Sequence, residues 1–351
     1  MLNLVVTAAL KKGMVLLAAR SIDEPGETFT EKNRVIKIFC CLAYLFFNVG
    51  ATIFAQISKD VDGSYPYNTL LVPAAVEIIK FITSLLILVK MQIKRDVIVR
   101  KVGCRSFIQF AIPGFCYFVS NNCMFYVIRD FGPAKYQIFS NLKILSSGFL
   151  MRIILKRYLL WIQWKSLLIL IVGAIIVQLD QLGCGANTIE KSNIAEKPSN
   201  SASVKVSYIF VLLNAFFSGA GAVFSEKLLK GENMLANECI HWQNVQLYFF
   251  GIIFGIFPLL TSDFGNMDSS SVLTGLNLPA FFAILSLAAS GLSVSYILKY
   301  LDNIAKCFIA TFGMIFVAVY EKQFNPDIMS PTMNLILGII LTGIALEQYH
   351  I

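Results

Sequence analysis

Residues 133–155 read PAKYQIFSNLKILSSGFLMRIIL. The stretch has about the 20 residues that a helix needs to cross a bilayer. Lys143 lies near its middle, too far from either end to snorkel easily to the interface. In helical geometry Tyr136, Ser140, Lys143 and Ser147 follow i, i+4, i+7 and i+11, which places them on one face. An apolar run with one polar stripe is a membrane helix that turns one side toward protein or water. The apolar residues run continuously rather than in alternation, and backbone in hydrocarbon must satisfy its own hydrogen bonds, so strands are excluded.

Composition extends this reading to the whole chain. Of 351 residues, 57% are hydrophobic and 14% charged, against about 45–50% and 25% in soluble domains. Mean hydropathy is +0.70. So few charges could not cover a soluble core, which excludes a soluble enzyme, a disordered chain and a nucleic-acid binder. Ten apolar segments are found, near 35–57, 68–90, 106–128, 133–155, 160–180, 206–228, 239–260, 276–298, 302–320 and 329–348.

The formal net charge of +8 is distributed as orientation charge. Lys11, Lys12, Arg20, Lys32 and Arg34 precede the first segment. Lys94, Arg95, Arg100, Lys101 and Arg105 follow the second, Arg152, Lys156 and Arg157 surround the fourth-to-fifth turn, and Lys227 and Lys230 follow the sixth. The intervening loops are poorer in positive charge: Lys59 with Asp60 and Asp62, Arg129 with Asp130, and Asp263 with Asp268. This alternation predicts an all-α membrane protein with ten transmembrane helices and both termini cytosolic. Residues 181–205 form the longest polar loop, at the middle of the chain. The expected organisation is a cytosolic segment 1–34, a five-helix half 35–180, a lumenal linker 181–205, a second five-helix half 206–348 and a short cytosolic end 349–351. An odd number of helices per half inverts the second half relative to the first, as in many carriers.

Polar residues inside apolar helices locate a candidate site, because each costs a few kcal/mol in hydrocarbon and turns toward a protein interior or a water cavity. Besides Tyr136 and Lys143, the third segment carries Tyr117 and Asn121 one turn apart, with Asn122 beside them. The sixth carries Asn214, Ser218, Gly221 and Ser225 on one face, and the seventh carries Gln243, Asn244 and Gln246. Lys299 and Lys306, seven apart, share a face at the start of the ninth segment if helical there. Lysines contributed by both halves suit an anionic ligand such as phosphate. Tyr117, Tyr136 and Phe224 are placed to stack a nucleobase, although aromatic side chains in membrane helices also serve packing. Glu77 and Lys80, at i and i+3, read as a mutually neutralising structural pair. Gly251-x-x-x-Gly255 and Ala288 to Gly291 read as close-packing surfaces. Pro73 and Pro113 are candidate kinks. The eight cysteines form no CxxC and His241 and His350 are isolated, so neither a metal site nor a cofactor is expected.

These residues resemble the nucleotide-sugar transporters, specifically the branch carrying CMP-sialic acid, UDP-galactose and UDP-N-acetylglucosamine within the drug/metabolite transporter superfamily. The resemblance runs over about residues 35–348. It is carried by YFVSNNCMFY (117–126), AKYQIFSNLKI (134–144), Gln163-Trp164 through to Gln178, SGAGAVFSEKLLK (218–230), NVQLYFFG (244–251) and GLSVSYILKYLDNIAK (291–306). It implies a carrier, not an enzyme, of the Golgi membrane, with the endoplasmic reticulum as alternative. Such a carrier exchanges a cytosolic nucleotide sugar for lumenal nucleoside monophosphate. It also implies Tyr117 and Asn121 as pocket residues, Lys143 as a phosphate contact, and Lys299 and Lys306 as the lysines of the KYxDN motif, at least one of which approaches phosphate. Phe224 stands where the family often has Tyr, and Ser140-Asn141 departs from the best-known CMP-sialic acid carriers. The expected partners are the nucleotide sugar, the nucleoside monophosphate and the lipid bilayer, without nucleic acid; a homo-oligomer is compatible with the sequence. Two alternatives stand beside this reading. One is a carrier of another phosphorylated metabolite on the same fold; the other is a membrane glycosyltransferase, for which Asp60 and Asp62 are the only hint.

Overall fold

A computed structural model describes residues 31–59, 65–67, 71–94, 104–189, 201–230, 239–261, 275–324 and 333–350. Most of the expected N-terminal segment, the centre of the expected linker at 190–200, and Ile351 lie outside these residues. So do the loop charges Asp60, Asp62, Arg95, Arg100, Lys101, Asp263 and Asp268.

The elements described are all helices: α1 (Glu31–Ile57), α2 (Leu71–Ile93), α3 (Cys104–Gln109), α4 (Ala111–Ser140), α5 (Leu142–Ile154), α6 (Trp161–Ile189), α7 (Ser201–Lys230), α8 (Ile240–Thr261), α9 (Leu278–Tyr300), α10 (Asn303–Phe324) and α11 (Met333–His350). Among the described residues, seven helical stretches are long and apolar enough to cross a membrane. They are Val35–Ile57, Leu71–Ile93, Phe107–Ile128, Trp161–Gln178, Ser207–Lys230, Leu278–Tyr300 and Asn303–Tyr320. The distribution of polarity agrees with a lipid surround. Val35, Phe39, Leu42 and Phe46 of α1 are all exposed at helical spacing, whereas Asn141, Gln178, Asn214, Glu226, Gln243, Asn244 and Gln246 are buried. Outward apolar faces with inward amides are what hydrocarbon as solvent selects. The chain is a multi-pass membrane protein.

Helices α6 and α7 extend into the segment read as a linker, α6 to Ile189 and α7 from Ser201. A helix of 29 residues is about 43 Å long, more than the roughly 30 Å of hydrocarbon, so its end reaches beyond the apolar layer. The helical assignment also runs through Gly132 and Pro133, where a connection between spans was expected. Contacts show that the run nevertheless bends. Asn214 bonds Ser120 and also the Tyr136 hydroxyl. In a straight helix those two partners would stand about 24 Å apart, beyond the reach of one amide. The bend lies between Ser120 and Tyr136, a stretch that includes Pro133, which has no backbone N–H to give to a helix.

By contact the chain divides into two compact units. The first is built on Phe39–Phe118 and Phe224–Asp302; the second on Val119–Val223 and Asn303–Ile351, together with the residues before Phe39. Each takes helices from both parts of the sequence, and the divisions fall within α1, α4 and α7 and between α9 and α10.

In the first unit, α2 packs on α8 and α9. Gly255 brings α8 so near that its missing Cβ would lie 3.6 Å from the Ala74 Cα. At one end of this unit Asn277 caps α9 by accepting from the Ala280 amide, 2.9 Å, and donates to the Ser58 carbonyl, 2.9 Å. The adjoining turn needs glycine at 275. Its φ is +87°, and a Cβ would overlap the Pro66 carbonyl oxygen.

In the second unit, α6 packs along α11, and α10 joins both. The α6–α11 seam is lined with small residues. Gly173 approaches the Gly338 carbonyl and the Thr342 hydroxyl, each 3.3 Å from where a Cβ would stand. Ser166 Oγ donates to the Ala345 carbonyl, 2.6 Å. Small side chains let membrane helices approach until dispersion and side-chain-to-carbonyl hydrogen bonds act together.

Candidate functional site

The first unit holds a polar cluster inside the apolar bundle. Glu77 and Lys80 on α2 form an ion pair in which the lysine side chain is 10% and the carboxylate side chain 25% exposed. The neighbouring helices are shaped around it. A Cβ at Gly251 of α8 would stand 2.6 Å from Glu77 Oε2, and one at Gly291 of α9 would stand 2.8 Å from Lys80 Cδ. The glycines read in the sequence as packing surfaces therefore accommodate a charge pair. Lys80 Nζ lies 4.5 Å over the Tyr248 ring centroid, a cation–π contact strengthened by low dielectric. The Tyr248 hydroxyl meets Ser295 Oγ at 2.8 Å. Tyr117, whose hydroxyl bonds the Ser225 side chain, shares the electrostatic surroundings of Glu77.

A second group in this unit joins α7, α8 and α9. Lys299 Nζ donates to Gln243 Oε1 at 3.2 Å, and Gln243 Nε2 reaches the Leu228 carbonyl at 3.5 Å. Leu228 lies in the last turn of α7, whose carbonyls lack helical donors. The Tyr296 hydroxyl meets His241 Nε2 at 3.1 Å. Asn244 and Gln246 are fully buried; both polar atoms of the Asn244 side chain, and Gln246 Oε1, have no hydrogen-bond partner among the described residues. Buried amides in this condition have unused hydrogen-bonding capacity for water or a polar ligand. Phe224 is half-buried.

In the second unit the centre is Asn214 of α7. Its amide nitrogen donates to the Ser120 carbonyl at 2.7 Å and to Ser120 Oγ at 3.2 Å, and Tyr136 bonds the same side chain. Gly219, one turn further along α7, sits against Ser146 and Ser147 of α5. Ser146 Oγ contacts the Lys143 carbonyl at 3.0 Å and the Ala215 carbonyl at 2.6 Å. Lys143 itself is exposed, as is Asn121; Asn122, Ser218 and Lys306 are half-buried.

Of the residues singled out in the sequence, the structure thus brings Tyr136 to Asn214 and Lys299 to Gln243. Tyr117, Phe224, Gln246 and Lys299 belong to the first unit. Asn121, Asn122, Tyr136, Lys143, Asn214, Ser218 and Lys306 belong to the second. Sequence reasoning passed over Tyr248 and Ser295, and it read Gly251 and Gly291 as packing surfaces without their partners Glu77 and Lys80. The one available signal was a charge pair at i, i+3 in an otherwise apolar helix, alongside unplaced glycine motifs. It also passed over the bond from Asn141 to Gln178, whose partners lie 37 positions apart. Ammonium groups, tyrosine hydroxyls and amides in an apolar surround are the equipment for holding a polar anionic solute.

Comparisons with known proteins agree. The model of the nucleotide-sugar transporter family matches residues 32–350. CMP-sialic acid transporter 1 of Arabidopsis thaliana is 30% identical over 298 residues, covering 82% of each chain. CMP-sialic acid transporter 1 of Oryza sativa subsp. indica is 30% identical over 294 residues, covering 82% of this chain and 86% of the rice protein. CMP-sialic acid transporter 3 of Arabidopsis thaliana is 28% identical over 341 residues, covering 94% of this chain and 80% of its own length. With a polytopic helical fold, lysines and amides within its spans and a family match over nearly its whole length, this chain belongs to the nucleotide-sugar transporter family.

Proposed function

We propose that the protein is an antiporter of the Golgi membrane that exchanges a cytosolic nucleotide sugar, CMP-sialic acid or a UDP-sugar, for lumenal nucleoside monophosphate. The observation that carries this reading is Lys143. It is a lysine in the interior of an apolar stretch whose side chain is nevertheless exposed, flanked by hydroxyls and amides tied into α6 and α7. An ammonium exposed at that depth is compatible with a water-lined path and not with lipid, where it is costly. The names of the relatives favour CMP-sialic acid as the first substrate to test.

The mechanism we infer is alternating access without covalent chemistry, with ten helices in two inverted halves rocking around a midplane site. Lys143 and Lys306 neutralise the phosphate, Tyr117 and Tyr136 contact the nucleoside with Phe224 stacking on the base, and the amides of Asn121, Asn122, Asn214 and Gln246 with Ser218 read its polar edge. Lys299 supplies further positive charge at its bond to Gln243. Exchange follows if unloaded lysines facing one another make the empty carrier slow to reorient.

The test is uptake by purified protein in liposomes loaded with CMP, UMP or GMP. Labelled CMP-sialic acid, UDP-galactose, UDP-N-acetylglucosamine and GDP-mannose are offered outside, with Lys143→Ala as control. We expect one internal monophosphate to stimulate uptake of its matching sugar nucleotide, and the mutant to lose that stimulation. Equal uptake into empty and loaded vesicles would remove the exchange mechanism. No uptake of any of the four would remove this substrate assignment.

A further inference from the structure

Asn141 stands at the junction of α4 and α5, two residues before Lys143, and is 3% exposed. Its side-chain nitrogen donates to Gln178 Oε1 of α6 at 2.8 Å, and Gln178 Nε2 in turn approaches the Met314 sulfur of α10 at 3.2 Å. This amide relay lies wholly within the second unit. An interhelical amide bond in a membrane protein is usually general glue, worth about 0.6 to 2 kcal/mol. Its location here gives it a more specific consequence.

The backbone is tightened at this point. The Asn141 amide donates to the Ile138 carbonyl at 3.2 Å, and the Ile144 amide donates to the Asn141 carbonyl at 3.0 Å. Both bonds span three residues instead of four, and Asn141 has φ −68° and ψ −19°, values of a 3₁₀ turn. At three residues per turn each residue advances about 120° instead of 100°, so every residue taken into the tight turn swings Lys143 by about 20° about the helix axis. Lys143 lies inside the turn closed by Asn141 and Ile144. On its other side Ser146 bridges the Lys143 carbonyl and the Ala215 carbonyl of α7. An exposed lysine is thus bracketed by two interhelical ties, one of them to a buried amide relay.

We propose that Asn141 and Gln178 are positioning residues: their hydrogen bond holds the α4–α5 junction in its tightened form and so fixes the direction of the Lys143 ammonium. The inference rests on the reading of Lys143 as the phosphate partner. It predicts that loosening the junction weakens nucleotide affinity without removing the capacity to transport.

The experiment measures self-exchange of labelled CMP and of UMP in loaded liposomes, normalised to reconstituted protein, for wild type, Asn141→Leu, Gln178→Leu, the length-swapped pair Asn141→Gln/Gln178→Asn, and Lys143→Ala. Hydrogen exchange of the segment containing residues 138–146 is followed without nucleotide. We expect each leucine variant to raise KM about tenfold with Vmax held within about twofold, and to speed hydrogen exchange in that segment. The swapped pair, which restores the combined length of the two side chains, should return both readouts toward wild type. A structural role alone lowers Vmax through fewer active copies and leaves KM in place. Unchanged KM in both leucine variants, or a swapped pair no better than either, overturns the inference while a defective Lys143→Ala keeps the carrier reading intact. A fully active Lys143→Ala instead overturns the assignment of the lysine, and the inference with it. Should Asn141→Leu not fold, Gln178→Leu and the swapped pair decide.

Discussion

Glu77 and Lys80 test how charge is carried inside this bundle. Removing the carboxylate strands an ammonium whose side chain is 10% exposed, and an uncompensated buried charge costs about 3–5 kcal/mol. Removing both charges with side chains of similar volume costs far less, because the desolvation penalty leaves with them. Glu77→Ala and Lys80→Met should therefore each lower the thermal midpoint of the purified protein in detergent. Glu77→Leu/Lys80→Met should melt closer to wild type than either single variant. Equal melting of all four proteins would show that the pair is solvated. Gly291 belongs to the same argument. A side chain there meets Lys80 Cδ at 2.8 Å, so Gly291→Val should destabilise by about 1–3 kcal/mol through overpacking, read in the same melting assay. Glycine at this position was legible in the sequence as a packing residue, but the partner it packs against was not. The identity of a neighbour on another helix is not encoded in local spacing.

Among elements, the contact of α6 with α11 depends on missing side-chain volume. A Cβ at Gly338 would lie 2.3 Å from Val177 Cγ2 and 3.2 Å from the Gly173 carbonyl, whereas one at Gly343 meets nothing within 4 Å. Gly338→Ala should reduce stability. Val177→Ala removes the nearest obstacle, and the double variant should recover part of the loss, a coupling expected of residues in direct contact. Gly343→Ala is the control and should melt with wild type. Additive losses in the double variant would place the clash elsewhere. Helix existence was legible from apolar run length, since the described part of each apolar segment read in the sequence is mostly helical, although 106–128 divides between α3 and α4 and 133–155 between α4 and α5. Helix limits were less so. Helix α4 runs from Ala111 to Ser140 through Gly132 and Pro133, and its departure from a straight course between Ser120 and Tyr136 is seen through the bonds of both to Asn214. The tight turn at Asn141 likewise has no local signature, because an asparagine inside an apolar run is as suited to an ordinary helix turn as to a bonded junction.

For the whole molecule, the charge alternation sets an orientation that can be measured without any substrate. Ala195→Thr completes an acceptor sequon at Asn193 in the segment proposed to be lumenal. Leu235→Thr completes one at Asn233, in a connection proposed to be cytosolic. Only a sequon presented to the lumen is glycosylated. In microsomes the first variant should show a mobility shift removed by endoglycosidase, and the second should not. The reverse pattern would invert the protein in the membrane; modification of both would break the alternation. The division of the chain into units, three of whose limits fall inside α1, α4 and α7, has no counterpart in the hydropathy profile. Hydropathy reports where a helix meets lipid and not which helix it meets.

The sequence by itself determined that the chain is helical and spans a membrane, because apolar length and the absence of water for the backbone leave no other structure. It also determined which side chains are too polar for lipid, Lys143, Asn214 and Gln246 among them, since their cost there is a property of the side chain and not of the fold. The tertiary structure decided what those side chains touch: Asn214 with Ser120, Lys299 with Gln243, Asn141 with Gln178, and Lys80 in the space left by Gly291. Hydrogen bonds and glycine-sized gaps act over a few ångströms between residues that lie tens to hundreds of positions apart, and only the packed helices bring them within that range.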